Sequence, residues 1–239
     1  MQRILAIGGG GFLMEDSESP VDEYMLRLTG KASPRICFIP TASGDSEEHL
    51  EKFYAAFRGQ DCQPSHLAFF RKPRLNSIPL PDYATHLLSQ DIVFVGGGNT
   101  KSALAVWREW QLDSVLKQAW LSGVLLSGMS AGALCWFQVG VSDSFEDSTY
   151  RPLPCLGFLP GACAAHYNFQ PQRRPSLHAA LEAGEVPETI AIDIGAAVLF
   201  EGTRLERVVS WADGSTAYRA SLEMGRVKEV AYACERIQS

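Results

Sequence analysis

The chain has 239 residues, 46% of them hydrophobic, with 27 acidic against 21 basic side chains and a formal net charge of −6. That hydrophobic share suits a chain with a real core, and an acidic balance without any Lys/Arg run speaks against a nucleic-acid surface. No stretch approaches the ~20 apolar residues of a membrane span, and the apolar run at Met1–Gly8 is too short for a signal peptide, so a cytoplasmic, membrane-free protein is expected.

The first two-thirds alternates short apolar runs with amphipathic ones. Arg3–Ile7, Arg35–Ile39, Ser65–Phe70 and Ile92–Val95 read as strands, being brief, apolar and rich in β-branched or aromatic residues. Val21–Leu28, Ser46–Phe57 and Tyr83–Leu88 read as the helices between them. The middle one is the clearest, with Asp45 or Ser46 as its cap and Leu50, Phe53, Tyr54 and Phe57 on one face. Lys101–Trp107 and Leu112–Leu121 follow as helices, and the Trp-containing stretches Val106–Trp110 and Leu116–Leu121 suit a core or a dimer face. Val124–Leu126 reads as a buried strand and Ala131–Phe137 as the start of a buried helix. Such alternation implies a parallel sheet with right-handed crossovers. The last third changes character. Thr189–Ile192, Ala196–Phe200, Arg204–Trp211, Ala217–Ala220 and Arg226–Ala231 are short strand-like runs punctuated by glycine, which implies antiparallel strands appended to the sheet. With no linker or repeat, one domain over residues 1–239 is the economical organisation. The six cysteines form no C-x-x-C pair, which leaves zinc and thioredoxin-like chemistry without support.

The chemistry concentrates at Gly128-Met129-Ser130-Ala131-Gly132. A Gly-x-Ser-x-Gly sequence between an apolar strand and a helix start is a nucleophile elbow. It lifts the Ser130 hydroxyl out of the sheet and aims a helix N-terminus at it. The competing reading is a serine that caps a buried helix. Two glycine-rich loops, Gly8–Gly11 and Gly96-Gly97-Gly98-Asn99-Thr100, follow strands. Neither is a dinucleotide fingerprint or a P-loop, and both fall where open α/β sheets bind ligands. Gly97 or Gly98 is placed to offer an N–H to an oxyanion alongside Ala131.

A nucleophilic serine needs a base within hydrogen-bond reach. Of the five histidines, His49, His86 and His178 fall on helices and His66 on a strand. His166 ends the run Phe158–Ala165 at the mouth of a buried strand, and it is the candidate base. The orienting acid is open between Asp143, in the polar loop Ser142–Asp147 that also carries Glu146, and Asp193 at the end of the strand Ile190–Ile192.

In Gly96–Thr100, Gly128–Ala133, Ser142-Asp143-Ser144, and Gly161 to His166-Tyr167 with Arg173-Arg174 downstream, the chain resembles the peptidase E family of serine dipeptidases. That family is similar in fold to class I glutamine amidotransferases. The resemblance implies a flavodoxin-like three-layer α/β sandwich, mostly parallel, with added C-terminal antiparallel strands. It implies cleavage of dipeptides with N-terminal aspartate without metal or other cofactor. It puts the nucleophile on Ser130, the base on His166, oxyanion and substrate donors around Gly98, Asn99 and Ala131, and carboxylate recognition on Arg173 or Arg174. The family's acid matches Asp143 or a position before the glycine of a later turn. That second position is Ile194 in this chain, with Asp193 displaced by one residue and so onto the opposite strand face. The expected partner is a small peptide, and the expected state is monomer or homodimer. Two further readings remain, a cyanophycinase-like exopeptidase acting on β-linked Asp-Arg chains and a non-catalytic ligand-binding relative.

Overall fold

The computed structural model describes residues 1–15, 19–70, 77–145, 147 and 149–238. Its centre is an eight-stranded sheet. Five parallel strands lie side by side in it: β1 (Arg3–Ile7), β2 (Arg35–Ile39), β3 (Gln63–His66), β4 (Ile92–Val95) and β5 (Leu125–Met129), in the spatial order β1-β5-β4-β2-β3. The crossovers run through α1 (Pro20–Arg27), α2 (Glu47–Phe57), α3 (Tyr83–Leu88), α4 (Thr100–Glu109) and α5 (Leu112–Leu121).

After β5 the chain makes the four-residue helix α6 (Ala131–Leu134) and enters a second sheet. That sheet is built from β6 (Phe137–Ser142), β7 (Arg151–Pro154), β8 (Leu159–Ala164) and, past α7 (Arg173–Glu182), β9 (Thr189–Ile192). β10 (Ala196–Glu201) and β11 (Arg204–Ser210) then return to the first sheet, β10 antiparallel to β1. β12 (Ala217–Glu223) and β13 (Arg226–Ala231) form a hairpin on β9, and β14 (Cys234–Arg236) closes the outer edge of the first sheet beside β11.

The period-2 alternation of each central strand divides the core. Leu5 and Ile7 of β1, with Phe38 and Phe94, pack toward α1 and α2, where Phe12 meets Phe38, Phe53 and Phe57 edge to face and Phe53 stacks on Phe38. Ile4 and Ala6, with Ile39 and Val95, pack the other way, against Trp107 and Trp120 of the α4–α5 pair and against Phe137 and Leu159 of the second sheet. A smaller cluster beneath α7, including Ala164, Leu177 and Ala191, covers the far face of that sheet. Trp107 and Trp120 are therefore core, whereas Trp110, just past the end of α4, is 42% exposed. Among the described residues no helix is long and apolar enough to cross a membrane.

The structure corrects the sequence reading in three places. The strand expected at Ser65–Phe70 is Gln63–His66, because the N–H groups of Phe69 and Phe70 both bind the Asp45 carboxylate, at 2.6 Å each, and draw the chain off the sheet. Asp45 is thereby committed, and Ser46 caps α2 by accepting from the His49 N–H. The buried helix expected through Phe137 lasts one turn and gives way to β6. The C-terminal strands do not extend one sheet but are shared between two.

Candidate active site

The Gly-x-Ser-x-Gly sequence owes both its glycines to close backbone packing. A Cβ on Gly132 would lie 2.1 Å from the Val95 carbonyl oxygen, and one on Gly128 would lie 2.5 Å from the Gly132 oxygen. Only glycine at both positions lets α6 start directly against β4. Between them Ser130 is forced to φ 58°, ψ −113°, a left-handed conformation unusual for a residue with a side chain. Strain of this kind costs on the order of 1–3 kcal/mol and persists where the surroundings over-determine it. Ser130 is half-buried, and its backbone N–H donates to the Ile7 oxygen of β1 at 3.2 Å. The N–H of Ala131 heads α6 and so has no partner within the helix.

The second glycine-rich loop packs against this elbow. A Cβ on Gly97 would lie 3.3 Å from the Ser130 Cβ, which places Gly96–Gly98 beside the nucleophile candidate. Gly98 has φ 136° and its Cα hugs the Ala42 carbonyl, where a Cβ would come within 2.2 Å. Exposed Asn99 caps α4 by accepting from Ser102 N–H at 2.8 Å.

His166 follows β8 and also takes a left-handed conformation, φ 54°. Its backbone N–H donates to the Gly8 oxygen at 3.0 Å. The first glycine-rich loop makes that approach possible. A Cβ on Gly8 would strike the Asp193 oxygen at 2.2 Å, and one on Gly9 would meet His166 Nδ1 and Ile194 Cγ1, each at 2.8 Å. The imidazole edge and the Ile194 side chain thus share the space above Gly9. Burial, then the Arg173 guanidinium, push the His166 pKa down to about 4, against an upward pull from Asp143. The ring is neutral at pH 7.

The two candidate acids lie elsewhere. Asp193 is buried and accepts from Thr216 N–H at 3.1 Å, and burial raises its pKa. Its surroundings are Thr216, Tyr218 and Arg174 rather than the imidazole. Asp143 has its closest charged partner in Arg173, at 3.6 Å. The two serines beside it point inward. Ser142 donates to Ser144, and the Ser144 oxygen accepts from Thr100 N–H at 2.8 Å at the start of α4. Asp143 is turned outward, its side chain 42% exposed. Among the described residues no carboxylate hydrogen-bonds to the His166 ring. Glu146 lies outside the described residues. Asn168 fixes Ile194 opposite the ring, its carboxamide accepting from Ile194 N–H at 2.9 Å and donating to Ile194 O at 3.4 Å.

The arginine pair opens α7. Arg173 is buried, with Nε donating to Gln170 at 3.1 Å and the guanidinium over the Tyr150 ring at 4.4 Å. Arg174 faces the other way, 3.5 Å from Glu229 and over the rings of Tyr167 and Tyr218. Glu229 also receives the Tyr167 hydroxyl and lies 2.6 Å from His178 Nε2. Tyr150 and the capping role of Ser144 escaped the sequence reading, although alternating serines around Asp143 carry the trace of the latter. Among the described residues no group of three or more His, Cys, Asp or Glu side chains is arranged to hold a metal ion.

The model of Peptidase family S51 matches residues 4–208. The chain is 41% identical over 230 residues, 96% of each chain, to the uncharacterized peptidase YgaJ of Bacillus subtilis (strain 168). A crystal structure of a peptidase from an acI-B1 Actinobacterium superposes with a TM-score of 0.68 at 17% identity, covering 97% of both chains. A candidate peptidase E protein from Listeria monocytogenes EGD-e gives 0.62 at 16% identity, covering 89% of this chain and 100% of that one. At those identities the two solved structures speak for the fold.

Proposed function

The chain belongs to peptidase family S51, and from that footing we propose that it is a serine peptidase of small peptides, foremost dipeptides with N-terminal aspartate. The observation that carries the reading is the strained Ser130, held at the end of β5 with a helix start behind it, Gly97 against its side chain and a neutral His166 anchored one carbonyl away.

Nδ1 of His166 lies over Gly9, so this reading assigns the proton transfer to Nε2. Nε2 takes the Ser130 proton as Oγ attacks the scissile carbonyl, and the N–H groups of Gly98 and Ala131 hold the oxyanion. The protonated imidazole then gives its proton to the leaving amine. Water, deprotonated by the same nitrogen, cleaves the acyl-enzyme and restores Ser130. Asp143 assists through its charge, which favours the imidazolium. Arg173 supports a preference for an acidic residue, because it is the arginine whose field reaches His166.

The test is turnover of Asp-Leu, Glu-Leu, Ala-Leu and β-Asp-Arg by the wild type and Ser130→Ala. Serine-dependent cleavage confined to Asp-Leu is the expected result. Cleavage by Ser130→Ala would end the serine mechanism, and release from β-Asp-Arg alone would favour a cyanophycinase-like activity. The apolar Ile194 at the Nδ1 edge of His166 favours a second reading, a ligand-binding relative. Peptide binding without any reaction of Ser130 with a fluorophosphonate would establish it.

A further inference from the structure

We infer that Glu229 of β13 is a positioning residue for His166: through the hydroxyl of Tyr167 it fixes the stretch of backbone from which the imidazole projects. The inference rests on the reading of His166 as the base for Ser130 and names a residue on which that role depends.

His166 has an unusual need of anchoring. Among the described residues no carboxylate orients its ring. Its backbone stands at φ 54°, a conformation that persists for a residue with a side chain only where the surroundings enforce it. One restraint lies toward β1, the bond from His166 N–H to the Gly8 oxygen at 3.0 Å. Others come through the next residue. Tyr167 N–H donates to the Ile192 oxygen of β9 at 3.1 Å. The Tyr167 side chain is buried beneath α7 with Ala164, Leu177 and Ala191, its ring 5.8 Å from that of Tyr218. A buried phenol needs a partner for its hydroxyl, and Glu229 supplies it by accepting from Tyr167.

The second sheet is shaped for this contact. In the strand register Glu229 stands beside Ala220, Tyr218 beside Ala191, and Ala191 beside Ala164. Residues 218 and 220 lie two apart on β12, so both rows share one face of the sheet. The alanines make a shallow floor on that face, over which the Tyr167 side chain packs and the Glu229 carboxylate reaches its hydroxyl.

α7 holds the carboxylate from above. His178 Nε2 lies 2.6 Å from the same oxygen that receives the Tyr167 hydroxyl, and Arg174 lies 3.5 Å from the other oxygen. Positions 174 and 178 are one helical turn apart and so present both groups together. Against its burial, the Tyr167 hydroxyl, His178 and the Arg174 charge keep the Glu229 carboxyl below the usual range. An ionised acceptor makes a stronger bond than a neutral one. β13, α7 and the segment after β8 therefore meet at one carboxylate, which is bound to the residue next to the base. Partly buried ion clusters add little to net stability. What this one fixes is geometry. With Tyr167 held at both its N–H and its hydroxyl, the imidazole is left only its own side-chain torsions.

The test compares Tyr167→Phe, Glu229→Ala, Glu229→Gln and the double variant Tyr167→Phe/Glu229→Ala, all as full-length protein. The readouts are kcat and KM for Asp-Leu, the rate at which Ser130 reacts with a fluorophosphonate, and the NMR resonances of the His166 ring. Tyr167→Phe keeps the aromatic packing and loses only the hydroxyl. It should lower kcat by about 10- to 100-fold at nearly constant KM, the scale of a reacting group displaced by up to about 1 Å. The fluorophosphonate reaction should slow with it, and the His166 resonances should move. Glu229→Ala should match Tyr167→Phe, and the double variant should be no worse than either, because both remove one shared contact. Glu229→Gln still accepts from the hydroxyl and should recover part of the loss. Wild-type kcat in Tyr167→Phe overturns the inference. So do a loss confined to KM, losses that multiply in the double variant, and a Glu229→Gln as impaired as Glu229→Ala. A purely structural role would lower the thermal midpoint while leaving kcat and the His166 resonances in place, and that result overturns it too. If the wild type hydrolyses no peptide yet Tyr167→Phe and Glu229→Ala displace the His166 resonances alike, the hydrolytic reading falls and this one stands. If Glu229→Ala does not fold, Tyr167→Phe and Glu229→Gln still decide.

Discussion

His166 and Ser130 donate their backbone N–H groups to consecutive carbonyls at the end of β1, His166 to Gly8 at 3.0 Å and Ser130 to Ile7 at 3.2 Å. One strand end thus sets the separation of the two side chains, although they are 36 positions apart in sequence and leave different sheets. The glycines that follow keep the gap open. Gly9→Ala puts a methyl group 2.8 Å from His166 Nδ1 and from Ile194 Cγ1, so ring and loop must move. Misplacement of a reacting group by about 1 Å is worth about 10²-fold in rate. Gly9→Ala should therefore lower kcat/KM by about 10- to 100-fold while the protein still folds. Gly59→Ala, where a Cβ meets nothing within 4 Å, should leave kcat/KM as it is. Unchanged turnover in Gly9→Ala would remove β1 as the spacer of the site.

The low His166 pKa sets the acid limb of activity. A base works only when neutral, so kcat/KM should hold nearly level down to about pH 5 and fall as pH drops through about 4, rather than near 6.5. Arg173 is the second cause of the depression after burial. Arg173→Gln should therefore move the imidazole titration upward, read by NMR on the His166 ring, and Asp143→Asn should move it further down. The linkage has the same sign. The folded pKa lies below the unfolded one, so His166's contribution to stability is complete above about pH 6.5 and is lost as pH falls toward 4. A wild-type imidazole titrating at 6.5 would contradict the burial and the field together.

The elbow and the central strands were legible because local chemistry decides them. β1, β2 and β4 are short apolar runs with no competing pattern, and their observed bounds match the sequence reading. Gly128 and Gly132 announce a backbone contact that no other residue tolerates. The second sheet was hidden for the same kind of reason. Its edge strand β7 carries Pro152 and Pro154, and β8 carries Pro160 and a Gly161 at φ 79°. Such residues signal turns in sequence, yet an edge position or a bulge accommodates them. Only Cys135 and Trp136 separate α6 from β6, within one unbroken apolar run. Nor does any local pattern show that Asp143 faces Arg173 rather than the imidazole. That contact joins the end of β6 to the start of α7, and only the tertiary arrangement of the second sheet creates it.

Asp22 is a buried carboxyl with a stability signature of its own. One oxygen accepts from Phe12 N–H at 2.8 Å, and the other is buried with no partner among the described residues. Burial pushes its pKa up to about 7, with a further upward contribution from Glu15. The folded state therefore keeps a proton that the unfolded chain releases near pH 4. Its contribution is present in full below about pH 4 and is lost as pH rises toward 7. Asp22→Asn retains an acceptor for Phe12 and does not titrate. In urea denaturation it should match the wild type at pH 4 and exceed it by on the order of 2–4 kcal/mol at pH 8. Equal stability at both values would show that Asp22 titrates normally.

Ile194 offers the sharpest test of how the imidazole is held. Its side chain shares the space above Gly9 with the Nδ1 edge of His166, and Asn168 fixes its backbone from both sides. Ile194→Asp would set a carboxylate against the ring without moving the loop, since both Asn168 bonds go to main-chain atoms. An anion within about 4–6 Å raises a histidine pKa by about 1–3 units. The His166 titration should climb by that amount from its starting value near 4. Turnover should rise with it, by up to about tenfold, because the imidazolium formed during attack gains a counter-ion. Ile194→Asn separates charge from polarity and should do much less. An imidazole titration that does not respond to Ile194→Asp would mean that the ring and residue 194 do not face each other in solution. A raised pKa without faster turnover would mean that the charge of Asp143 already supplies what the imidazolium requires.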